Sequence, residues 1–106
     1  MNAQVQSVVA ELRRRLEQLY GLRLIRLVLY GSQARGDAEP GSDIDVLVVL
    51  RDPIDPDQEI FRTGEAVAET SLAHDMVLSC LFMGETESVS RQGPLLRNIQ
   101  REGVRV

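Results

Sequence analysis

The stretch that most narrows the fold runs from Leu27 to Leu50, LVLYGSQARGDAEPGSDIDVLVVL: two apolar runs of strand composition, a Gly-rich loop between them, and Asp43 and Asp45 at the start of the second run. Runs rich in Leu, Ile, Val and Tyr that are bounded by Gly, Ser, Asp and Pro read as β-strands. Side chains alternate along a strand, so Asp43 and Asp45 share one face about 6.7 Å apart, with Ile44 and Val46 on the other. Two ionised carboxylates at that separation repel by about 2.5 kcal/mol at an effective dielectric of 20. A small domain has only about 5–15 kcal/mol of stability in all. Something must compensate: a cation, a basic partner or solvent. Leu47 and Val49 continue the same face inward, so the pair stands at the strand's entrance, open to a cation. The bland alternative is a pair merely exposed where the strand frays.

The remaining elements follow from periodicity. Val5, Val8, Val9, Leu12, Leu16 and Leu19 recur at helical spacing, which predicts an amphipathic helix over residues 2–20 ended by Gly21. Arg13, Arg14 and Arg15 fall mostly on its other side, as a solvated face. Residues 22–30 and 43–50 are the first two strands, the second stopped by Asp52-Pro53. Asp55 caps a second long helix with Pro56 at its first position, and Ile60, Phe61, Val67, Ala68 and Leu72 give that helix an apolar side. Gly64 would allow close packing. HDMVLSCLFM, residues 74–83, reads as a third strand. Residues 85–92 form a helical turn, Pro94 to Glu102 a short helix capped by Gly103, and Val104 to Val106 a last strand. The order is α-β-(turn)-β-α-β-α-β, an α/β arrangement whose strand directions the pattern alone leaves open.

At 106 residues the chain is expected to be one domain, 1–106, and a domain of this size buries roughly 65% of its unfolded surface, enough for a single core. The start of the chain has neither a basic segment nor a continuous apolar run, so it does not read as a signal peptide, and no stretch is apolar for long enough to cross a bilayer. One cysteine, Cys80, cannot form an internal disulfide, which fits a reducing compartment. A cytoplasmic protein is expected. Twelve arginines, no lysine and sixteen acidic residues leave a net charge of −4, without the basic stripe that holds a nucleic-acid backbone. Direct nucleic-acid binding is therefore disfavoured.

Two further features point at the aspartate pair. The first strand ends in YGSQARG, where Gly31 permits close backbone approach and Ser32 offers a hydroxyl and an amide at a helix start, the groups that hold phosphate. The third strand opens with Asp75, one more carboxylate that could join the pair. Acids at strand ends beside a phosphate cradle suit magnesium and a nucleoside triphosphate, with phosphate and water completing the oxygen shell. His74 either assists through Nε2 or simply packs. Cys80, Met76 and Met83 read as core or strand-edge residues. Asp52, Asp55 and Asp57 read as turn and cap chemistry, since two prolines and a missing downstream glutamate argue against a calcium loop.

Gly31-Ser32, ten residues, then Asp43-Ile44-Asp45 resembles the GS-x10-DxD signature of the nucleotidyltransferase superfamily that includes DNA polymerase beta. The fuller string from Tyr30 to Val49, the small size and the tail PLLRNIQREGVRV are similar to the minimal nucleotidyltransferases, or MNT proteins, over most of the chain. The resemblance implies an α+β fold, a mixed sheet of about four strands with helices mainly on one side, and transfer of a nucleoside monophosphate to a hydroxyl with two Mg2+ ions. It implies that Asp43 and Asp45 bridge both ions, that Asp75 binds the ion activating the acceptor, and that Gly31 and Ser32 hold the triphosphate. Arg35 occupies a basic position of the motif, where it either touches phosphate or braces the loop.

MNT proteins are similar to the antitoxin half of two-gene modules whose other half is a HEPN-family ribonuclease toxin. By that resemblance the expected activity is transfer of AMP from ATP to a tyrosine of the toxin, which silences it, within a hetero-oligomer. Larger relatives carry a helical domain that presents the acceptor, and none is legible here, so the acceptor is expected to come from outside the chain. Two other readings remain: a binding module that neutralises its partner by occlusion, and a small-molecule nucleotidyltransferase, for antibiotics for example, with a separate acceptor-binding subunit.

Overall fold

The structure, a computed structural model, describes residues 1–90 and 92–106. Nine elements follow one another: α1 (Ala3–Tyr20), β1 (Leu24–Tyr30), α2 (Ser32–Arg35), β2 (Ile44–Leu50), α3 (Pro56–His74), β3 (Leu78–Gly84), α4 (Glu85–Ser88), α5 (Pro94–Glu102) and β4 (Val104–Arg105), with one 3-10 turn, Gly21–Arg23, after α1. The predicted turn over residues 85–92 is α4 at its start, while its Arg91 lies outside the described residues.

The strands form one mixed sheet in the order β3-β2-β1-β4. Both neighbours of β1 run antiparallel to it, whereas β2 and β3 are parallel, joined by the long crossover helix α3 that parallel pairing requires. The register pairs Tyr30 with Asp45 and Ile44 with Leu78. The end of β1 and the starts of β2 and β3 therefore meet at one edge of the sheet.

Strand β2 lies inside the sheet and from Val46 to Leu50 is buried on both faces, which is why DIDVLVVL reads as nearly continuous apolar sequence rather than an alternation. On one face Ile44, Val46, Val48 and Leu50 pack with Leu27, Leu29 and Phe82 against Val5, Val8, Leu12 and Leu16 of α1. On the other, Leu47, Val49, Val28 and Met83 pack against Leu96 and Ile99 of α5. The two long helices thus cover one side, and only the short α5 packs on the other.

Helix α3 departs from the predicted amphipathicity. Most of its expected apolar side faces outward, with Phe61 89% and Leu72 83% exposed and only Val67 of the five packing against the core, while Glu59, Thr63 and Thr70 are buried. The inversion holds because the buried polar groups are paired. Glu59 accepts from the Tyr20 hydroxyl at 2.7 Å and from Arg62 at 3.1 Å, and each threonine hydroxyl donates to the carbonyl four residues earlier in its own helix. Gly64 has open space where a Cβ would stand, so it serves no close approach. Arg13 and Arg15 are also more than a solvated face: Arg13 donates to the Val106 carbonyl, and Arg15 pairs with Glu69 of α3.

Residues 74–77 belong to no strand. Helix α3 runs on through His74, Asp75 is its C-cap in the left-handed conformation (φ 52°, ψ 43°), and β3 starts at Leu78. Short polar side chains tolerate that conformation, which ends the helix and turns the chain toward the sheet.

Candidate active site

Where β1 ends the backbone turns at Gly31, with φ at 74°, a conformation that favours glycine. A Cβ there would stand 2.5 Å from Oδ2 of Asp45, so the carboxylate lies directly over the turn. Helix α2 starts at the next residue, Ser32, and the Gly31 carbonyl accepts from the amides of Ala34 and Arg35. The first turn of a helix leaves N–H groups without intrahelical partners, and those of Ser32 and Gln33 stand beside this bend. The loop that follows is tied shut: Ser42 and Glu39 exchange two hydrogen bonds, each 3.0 Å, and the buried Gln33 side chain donates to the Ser42 carbonyl.

Asp43 is exposed one residue before β2, and Asp45 is half-buried at its second position. Burial, then the neighbouring charge of Asp43, pushes the Asp45 carboxyl above the ordinary range, with Arg35 acting in the opposite sense. Arg35 reaches sideways rather than inward, pairing with Asp37 at 3.1 Å and with Glu102 of α5 at 3.3 Å, so it braces the loop against the last helix.

Asp75 does not join the pair. It is exposed at the helix C-cap, and among the described residues no three His, Cys, Asp or Glu side chains are grouped to hold a metal ion. His74 turns to α1, its Nε2 3.4 Å from the Glu11 carboxylate. Two carboxylates that repel, one pressed onto a glycine turn, fit a hard cation bound through few protein oxygens and completed by phosphate and water. A three-carboxylate shell for two ions does not assemble among the described residues.

Two residues beside the pair escaped sequence reasoning. Tyr30 on β1 and Ser79 on β3 are the register partners of Asp45, and all three occupy the face that carries Leu47, Leu81 and Met83. Burial, then the Asp45 charge, pushes the Tyr30 phenol up. The lone polar residue in LSCLFM was a signal, but only strand pairing shows what it faces. Further along this face, Leu47 also lines a cavity of about 340 Å3 with Val28, Ile99, Arg26 and Arg105.

The family model described as nucleotidyltransferase domain matches residues 9–98. A Methanocaldococcus jannaschii protein assigned as a protein adenylyltransferase is 26% identical over 102 residues, covering 94% of this chain and 96% of that relative. Among solved structures, a toxin–antitoxin complex with AMP-PNP superposes with a TM-score of 0.62 at 20% identity, over 89% of this chain and 68% of that one. A complex of a tri-AMPylated Shewanella oneidensis HEPN toxin with its MNT antitoxin gives 0.56 at 17% identity, over 96% and 67%. At such identities the structural likeness speaks for the fold alone. The family match is broader, running from α1 through the glycine turn and both aspartates into α5, and with it the chain belongs to the nucleotidyltransferase domain family.

Proposed function

We propose that this chain transfers AMP from ATP to a tyrosine hydroxyl of a HEPN-type toxin and so acts as its antitoxin. The observation that carries the reading is the convergence of Gly31, Ser32, Asp43 and Asp45 where β1 ends and β2 begins, with Asp45 against the glycine turn. The names of the relatives lend support: an adenylyltransferase at 26% identity, and an MNT antitoxin seen with an AMPylated HEPN toxin.

In the reaction the tyrosine oxygen bonds to the α-phosphorus, the bond from that phosphorus to the α–β bridging oxygen breaks, and pyrophosphate leaves with the electron pair. The hydroxyl proton passes to solvent or to a nearby carboxylate. Gly31 and Ser32 would hold the triphosphate through backbone amides and a hydroxyl, and Asp43 and Asp45 would hold Mg2+. Bound Mg2+ would neutralise charge on the phosphates, and catalysis would then be largely positioning.

A partner also suits the surface. The exposed Phe61 and Leu72 lie eleven residues apart on α3, three helical turns, and so share one side. Beside them Ile60, Gly64, Val67 and Ala68 form an apolar cleft with Cys80 and Phe82 of the edge strand β3. Occlusion without transfer is the second reading, favoured by the lack of a third carboxylate grouped with the pair among the described residues. One experiment separates the two: co-express the chain with its toxin, purify the complex, and weigh the toxin with and without ATP and Mg2+. A mass gain of whole AMP units, lost in the Asp43→Asn, Asp45→Asn double variant while the complex persists, supports transfer. Stable binding with no adduct rules it out in favour of occlusion.

A further inference from the structure

The Asp43–Asp45 pair has no third carboxylate among the described residues, and the neighbouring strands show where one would have to stand. On the face of Asp45, the position beside it on β1 is Tyr30, the next along β2 is Leu47, and the position beside it on β3 is Ser79. Tyr30 is half-buried and Leu47 buried, but Ser79 is exposed. Adjacent strands lie about 4.8 Å apart, so a carboxylate at position 79 would face the same cation as Asp45.

Asp75 has no easy route to that place. Its amide is held by the Leu72 and Ser71 carbonyls. Met76 donates to the Ser71 carbonyl at 3.1 Å, and the Leu78 amide donates to the Ser71 hydroxyl at 3.2 Å. The Val77 carbonyl accepts from Ile44 at 2.9 Å, fixing the segment to the start of β2. Ser71 thus locks the whole connection from α3 to β3.

We infer that this chain holds a single divalent cation with its nucleotide through Asp43 and Asp45, and that Ser79 stands where a third carboxylate would be needed for a second cation. The inference rests on the nucleotidyltransferase reading of the same site and deepens it. Within that reading, Asp75 ends a helix and does not ligate.

The test counts Mn2+ bound per chain by electron paramagnetic resonance in saturating α,β-methylene ATP, which resists transfer. The expected count is one for the natural chain and for Asp75→Asn, and two for Ser79→Asp, an exposed substitution whose fold is checked by circular dichroism. Ser79→Glu serves as a second variant should the aspartate fail to fold. Two ions in the natural chain, a weaker ion in Asp75→Asn, or one ion in both Ser79 variants would each overturn the inference. If no Mn2+–nucleotide complex forms at all, the nucleotidyltransferase reading of the site falls with it.

Discussion

At the scale of single residues, Gly31 and Asp45 are one unit. Adding a side chain at Gly31 both strains a backbone at φ 74° and drives a Cβ to 2.5 Å from the Asp45 carboxylate. Gly31→Ala is expected to lose about 1–3 kcal/mol, read as a lower midpoint in urea, together with nucleotide affinity measured by calorimetry. Asp45→Asn should do the opposite to stability. Because burial and Asp43 raise the carboxyl of Asp45 in the folded state, the folded chain binds that proton at a pH where the unfolded chain does not. The resulting destabilisation is complete at neutral pH and fades as pH falls through the raised value. The variant's advantage, under about 1 kcal/mol for a partly solvated group, should therefore be largest near pH 7 and vanish on acidification. Paired denaturation curves at several pH values would show it.

At the scale of elements, helix α3 explains both what the sequence revealed and what it concealed. Its start was legible because cap and first-turn chemistry is local: Asp55 accepts from the Asp57 amide, and Pro56 follows. The strand cores were legible for the same kind of reason, since an apolar run fixes its own state. Which side of α3 is buried was not, because that depends on the Tyr20 phenol at the end of α1 meeting Glu59, 39 residues further along, across the fold. Asp75 was misplaced in a strand for a related reason: its left-handed cap is set by Ser71, not by the apolar run after it. At the site, the motif put Gly31 and Asp45 in one place, whereas the Asp45 carboxylate lying over that turn and the flanking Tyr30 and Ser79 required the fold and the strand register. Tyr20→Phe, which strips the buried Glu59 of a donor, should cost about 1–3 kcal/mol of stability in thermal or urea unfolding.

At the scale of the whole molecule, Phe61 and Leu72 stand exposed on the outer side of α3. Phe61→Asp and Leu72→Asp should change stability by less than about 0.5 kcal/mol, as exposed substitutions do, yet weaken co-purification with the proposed toxin partner. Retained binding by the double variant would place the partner elsewhere. No described helix is long and apolar enough to cross a membrane. The double burial of β2 has its own consequence. A strand clamped between two apolar layers is a stiff floor, and Asp45 is mounted on it at the second position while Asp43 stands exposed just ahead of it. On the proposed reading, a floor that stiff leaves much of the alignment of donor and acceptor to the approaching molecule, whose shape then helps to decide what is modified.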